Sequence, residues 1–154
     1  MRVAGIERRG ERYLARDARG ATLWTVELPL DMNGSPFREA ALWPAASAVV
    51  VAGGPTIHFL SPESGAVVTT LLFDDDLFGG LGPTAGDVLY ILGWRHVTAV
   101  DKTLAVRWVS RDVAVDGITL RDLDGDRILL SAEMDPPGGW INVELDAVTG
   151  RLVR

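Results

Sequence analysis

The feature that most constrains this chain is a spacing. Four short turns, anchored at Asp17, Ser61, Asp101 and Asp146, recur 44, 40 and 45 residues apart along 154 residues. The segment "VVVAGGPTIHFLSPESGAVVTTLLF" (49–73) reads as strand, glycine, strand, turn, strand. "VLYILGWRHVTAVDKTLAVRWVS" (88–110) repeats it, with eight residues from Gly53 to Ser61 and eight from Gly93 to Asp101. "RILLSAEMDPPGGWINVELDAVTGRLVR" (127–154) does so again, with an insertion at Asp135–Gly139, and "VAGIERRGERYLARDARGATLWTVEL" (3–28) is the first copy. A unit of this size cannot bury its apolar face alone, so neighbouring units must stack on one another.

Strands of four to eight residues separated by turn residues dominate, as in all-β folds. A further strand precedes three of the copies: "AALWPA" (40–45), "FGGLGP" (78–83) and "GITLRDL" (117–123). Each complete unit is then a four-stranded antiparallel meander, and the first unit has three strands. The segments "AVVVA" (48–52), "VLYIL" (88–92) and "RILLSA" (127–132) read as strands buried on both faces rather than alternating ones. Such strands suit blades stacked face to face, so the expected fold is an all-β, propeller-like array of about four antiparallel blades. A β-sandwich is the alternative. The array forms one domain, 1–154, with units at approximately 1–30, 40–73, 78–110 and 117–154. One helix is expected, over "SPFREAALW" (35–43), with Ser35 as cap and Pro36 at its first position.

A second pattern overlies the first. Units one and three reach Trp24 and Trp108 seven residues after their aspartates, whereas units two and four have a turn one residue longer that ends in Gly65 and Gly150. A duplicated two-unit ancestor accounts for this alternation. With these residues in view, the repeat resembles the pyrroloquinoline-quinone-like β-propeller repeat, an apolar strand followed by A-x-D-x-x-T-G-x-x-x-W. "VELDAVTGRLVR" keeps Asp146, Thr149 and Gly150, with Glu144 for the alanine and Arg154 for the tryptophan. "ARDARGATLW" keeps Ala15, Asp17, Gly20 and Trp24. "AVDKTLAVRW" keeps Ala99, Asp101 and Trp108 and has Leu104 where the glycine belongs, while "FLSPESGAVVTT" keeps Gly65. The resemblance implies scaffold roles: aspartate accepting backbone N–H bonds at the turn, glycine supplying positive φ, tryptophan filling the gap between blades. It implies the architecture and not the quinone chemistry, whose cofactor and calcium ligands do not map onto this sequence.

Composition narrows the function. A net charge of −6 excludes a general nucleic-acid binder, which needs a basic face. No apolar run approaches the ~20 residues of a membrane-spanning helix, and "MRVAGIERRGER" lacks a secretory apolar core, so the expected compartment is the cytoplasm. Cysteine is absent, which removes thiolate nucleophiles and disulfides. Fourteen of fifteen basic residues are arginine, Lys102 being the exception, as in a GC-rich bacterial genome.

No nucleophile motif or phosphate-binding glycine loop is present, so a non-enzymatic protein-interaction module is expected, of adaptor or immunity type. Its partner-binding residues are Asp135, Pro136, Pro137 and Trp140, because a hairpin lengthened on a repeat scaffold commonly lies on a binding face. The partner is a protein, with a homodimer as a further expectation, and no cofactor is expected. The alternative is a calcium- or small-molecule-binding propeller. There Asp122, Asp124 and Asp126 alternate around Gly125, and Glu133 stands at the twelfth position of the loop, as hard cations require. Asp74–Asp76 forms a second acidic patch, read as solvated. His58 and His96 fall on one face of equivalent strands.

Overall fold

The computed structural model describes residues 2–153. Fourteen strands occur among them, in four antiparallel sheets that succeed one another along the chain. Blade one is β1 (Gly5–Arg9), β2 (Arg12–Arg16) and β3 (Thr22–Glu27). Blade two is β4 (Arg38–Trp43), β5 (Ala48–Gly53), β6 (Thr56–Leu60) and β7 (Val67–Leu72). Blade three is β8 (Phe78–Leu81), β9 (Val88–Gly93), β10 (Val97–Asp101) and β11 (Val106–Val109). Blade four is β12 (Ile118–Asp124), β13 (Arg127–Glu133) and β14 (Trp140–Asp146), extended by a bridge from Leu145 to Leu152. Every sheet pairs its strands in chain order, so the array of four meander blades is confirmed. Among the described residues, blade one has no counterpart of β4, β8 and β12.

Three apolar cores lie between successive blades. Tyr13, Trp24 and Val26 of blade one meet Val49, Val51 and Leu60 of blade two. Val50, Ala52, Ile57 and Phe59 of blade two meet Phe78, Leu89 and Ile91 of blade three. Leu92 and Val97 of blade three meet Ile128, Leu130, Val143 and Leu145 of blade four. The odd and even positions of β5 thus serve two different cores, and all six of its residues are buried. This is why its sequence runs apolar without alternation. The same holds in β9, where Leu89 and Ile91 face blade two while Tyr90 and Leu92 face blade four.

Strand β13 departs from expectation. Ile128, Leu130 and Ala132 are buried, but Arg127, Leu129, Ser131 and Glu133 are only partly covered. No core of described residues joins blade four to blade one, so the outer faces of both terminal blades are open. The helix expected over 35–43 is also corrected. Residues 38–43 form β4, paired with β5 from Arg38–Gly53 to Trp43–Ala48, and a single 3-10 turn follows at Pro44–Ala46. Burying Trp43 and completing the β5 ladder outweigh a weak local helix signal, which Pro44 would have ended in any case.

The repeat turns behave as the motif predicts. Asp17 Oδ1 accepts the N–H groups of Arg19 and Ala21, both at 2.9 Å, and Asp146 Oδ1 accepts those of Val148 and Thr149, also at 2.9 Å. Gly20, Gly65 and Gly150 all have positive φ, as does Leu104 at +67° where the glycine is missing. The tryptophans bridge to the following blade. Trp24 lies over Gly65 and donates Nε1–H to Pro62 O at 2.7 Å, and Trp108 lies over Gly150 and donates to Ala147 O at 3.1 Å.

Candidate functional site

One end of the array gathers the β5–β6, β9–β10 and β13–β14 turns with the connections between blades. Strand β13 delivers Glu133 there, and β14 leaves it at Trp140, directly across the ladder from Glu133. Between them the Asp135–Gly139 insertion folds back on itself. Met134 donates its N–H to Gly139 O at 3.2 Å and Asp135 to Gly138 O at 3.3 Å, while Glu133 Oε2 accepts the Gly138 N–H at 2.7 Å. Gly138 and Gly139 take positive φ, and the Pro136–Pro137 peptide is cis. The insertion is therefore a tied hairpin, which fixes the position of Trp140.

Trp140 lies close against Gly117, where the edge of the ring and Glu133 occupy the space a side chain would need. It remains 50% exposed and borders a hollow of about 520 Å³. Phe37, 47% exposed, lines the same hollow, with Leu81, Leu92, Ile118 and Leu120 along its apolar walls. Phe37 is held from behind by Trp94, whose ring meets it edge-on with centroids 6.4 Å apart. Two glycines of β8, Gly79 and Gly80, leave the wall low. Asp116 and Glu133 give the rim negative charge. Two half-exposed aromatics beside an apolar hollow with an acidic rim can seat an apolar side chain flanked by basic groups.

Of the residues expected to bind a partner, Trp140 is brought to this hollow, and Asp135, Pro136 and Pro137 form the hairpin beside it. Phe37 was missed by sequence reasoning because it was assigned to a helix rather than to the approach to β4. Its signal was the pairing of "REAALW" with "AVVVA".

The carboxylate set proposed for calcium is divided. Asp124 and Arg127 face each other across a tight Gly125–Asp126 turn, which places Asp122, Asp124 and Asp126 at one end of the β12–β13 hairpin. Glu133 stands at the other end of β13, roughly 20 Å away at ~3.3 Å per residue, and its carboxylate is engaged with Gly138. A calcium loop curls its twelfth residue back; a β-hairpin sends it away. No cluster of three or more His, Asp or Glu side chains suited to a metal ion forms among the described residues.

The histidines are separated as well. His58 bonds Thr70 Oγ1 at 2.7 Å within blade two, and burial pushes its imidazole below the ordinary value. His96 is buried against Phe73, with Nδ1 at 2.7 Å from Asp76 Oδ2. They occupy equivalent faces of different blades, so a whole sheet lies between them. Asp76 corrects the reading of 74–76 as a solvated patch. Its carboxylate also accepts the backbone N–H groups of Trp94, Arg95 and His96 at 3.1–3.2 Å. Burial alone would raise this carboxyl, but the His96 hydrogen bond and the backbone donors overcome it and hold it below the ordinary range. Asp75, by contrast, is exposed and pairs with Arg95 at 3.2 Å.

No family model and no curated protein matches the sequence. Solved structures do. BamB from Moraxella catarrhalis superposes with a TM-score of 0.51 at 18% identity, over 99% of this chain and 60% of that one. In fold, the chain resembles a pyrroloquinoline-quinone-like β-propeller. Kuenenia stuttgartiensis hydrazine synthase gives 0.67 at 14% identity, over 94% of this chain and 42% of that one. A protein of unknown function from Bacteroides caccae gives 0.50 at 15%, over 99% and 57%. The chain thus spans between 42% and 60% of the length of these propeller-type neighbours. Identities this low establish the fold and carry no chemistry with it.

Proposed function

We propose that the chain is a non-enzymatic protein-interaction module, adaptor-like in role, that docks its partner at the hollow between Phe37 and Trp140. The observation that carries this reading is the fixed, half-exposed Trp140 beside an apolar cavity. An indole already immobilised by its neighbours loses little freedom on binding, which favours it as an anchor. The acidic rim and the net charge of −6 select a partner segment with an aliphatic or aromatic side chain next to Arg or Lys. Glu133, the nearest ionisable group to Trp140 along the ladder, is tied to the hairpin backbone and serves to hold it.

A displayed random-peptide library selected on the wild-type protein tests this. Enriched peptides should carry an apolar anchor flanked by basic residues and bind Trp140→Ala at least about tenfold more weakly, the loss of a typical anchor. The melting temperature of Trp140→Ala should stay close to wild type. Peptides indifferent to Trp140, or a variant that unfolds, would remove this reading and make Trp140 part of the scaffold.

A further inference from the structure

The outer faces of the two terminal blades are unlike each other, and they match. On blade one, ladder partners place Glu7, Arg9, Arg12, Leu14, Arg16, Thr25 and Glu27 on the face turned away from blade two. Three arginines against two glutamates leave this face net positive in a chain that is net negative. Leu14 is buried at its centre, with Arg12 and Arg16 on either side along the strand. On blade four, the corresponding face carries Asp122, Asp124, Glu144 and Asp146 against Arg127, with Arg121 beside Asp122 at the bulge in β12. At its centre Leu129 stands between Asp122 and Glu144, across the two ladders. One face is a leucine between arginines, the other a leucine between carboxylates.

The turn of blade one is uncovered as well. At both tryptophan bridges the ring comes from the preceding blade and covers the turn glycine of the next, Gly65 or Gly150. Gly20 is the same glycine in blade one, with φ +83°, and nothing lies within 4 Å of the position a Cβ would take. Among the described residues no blade precedes it, and blade four has Arg154 rather than a tryptophan at the bridging position.

We propose that blade four of one copy docks on blade one of a second copy, so that two chains close a single eight-bladed ring through two equivalent contacts. Each copy supplies the four blades described above. A head-to-tail contact made twice around a two-fold axis closes, which stops the association at two chains rather than a filament. Opposite charge on the two faces sets the order, since blade one against blade one or blade four against blade four would place like charges together.

Charge reversal with light scattering tests the proposal. Wild type should have twice the chain mass at low ionic strength and move toward the monomer as salt screens the contact. Arg9→Glu/Arg12→Glu makes both terminal faces acidic, and Asp122→Arg/Asp124→Arg/Glu144→Arg makes both basic, so each variant alone should be monomeric. Their equimolar mixture should restore the double mass with one copy of each, because both contacts are again complementary. Circular dichroism of each variant shows that it is folded. A wild type that stays monomeric, a dimer that survives both reversals, or a mixture that fails to pair would overturn it. None of these substitutions touches Phe37 or Trp140, so the outcome is separate from that of the peptide selection.

Discussion

The tryptophan bridges show how one residue dictates another in the next blade. An indole can lie flat on a turn only where that turn has no side chain, so Trp24 requires Gly65 and Trp108 requires Gly150. Between blades two and three the exchange runs the other way. Thr69 takes the tryptophan position, Phe59 replaces the small alanine across the ladder, and Leu104 replaces the glycine and packs into the core from the other side. Leu104 accepts a left-handed backbone, at a cost of about 1–2 kcal/mol, in return for filling that space. Gly20→Ala should therefore cost about 1 kcal/mol, for its positive φ alone. Gly65→Ala and Gly150→Ala should each cost a further ~1–3 kcal/mol, because the methyl group must displace an indole. Urea denaturation of the three variants checks the order; equal losses would mean that the indoles yield freely.

Among the elements, the connection from β7 to β8 depends on one buried carboxylate. Asp76 ties this segment to the β9–β10 turn through three N–H groups of that turn and the His96 ring. Asp76→Asn would point an amide N–H₂ or lose an acceptor against these donors, and should cost roughly 2–4 kcal/mol at neutral pH. The carboxyl is depressed in the folded state, so its contribution is complete above the unfolded value near 3.8 and is lost as pH falls through the lower folded one. The acid limb of a stability–pH profile should accordingly be shallower in Asp76→Asn than in wild type; parallel limbs would show that other carboxylates dominate acid unfolding. Nothing local in the sequence announces this pair, since Asp76 and His96 are twenty residues apart and meet through the β8–β9 pairing of blade three, which sets Phe78 opposite Gly93. The turns and β5 were legible because their constraints are local or lie within one period. The helix expected at 35–43 failed because short-range capping signals carry no information about the β5 ladder that claims those residues. "RILLSA" misled for a related reason: its apolar run describes a middle strand, while no described blade covers its outer face in blade four. Trp140 stands out in the sequence because the insertion breaks the repeat, whereas Phe37, which lines the same hollow, comes from another blade.

At the scale of the whole molecule, stability is distributed as in a short stack of repeats, where each blade contributes its own sheet and the contacts to its neighbours. Blades two and three have an apolar core on both faces, and blades one and four on one face only. Blade one is further weakened because, among the described residues, β1 is the edge of its sheet, with no strand paired on its inner side. Native-state hydrogen exchange should therefore protect the amides of β5 and β9 most strongly and those of β1 least, with opening free energies falling from the middle of the array outward. Ring closure by a second copy changes this gradient in one direction. It covers the outer faces of blades one and four together, so β2 and β13 should gain protection with protein concentration while β5 and β9, already enclosed, should change little. The Arg9→Glu/Arg12→Glu variant should keep the steep gradient at every concentration. If protection in β2 and β13 is independent of concentration in wild type, the polar faces are solvated ends of the stack, and the two half-rings do not meet.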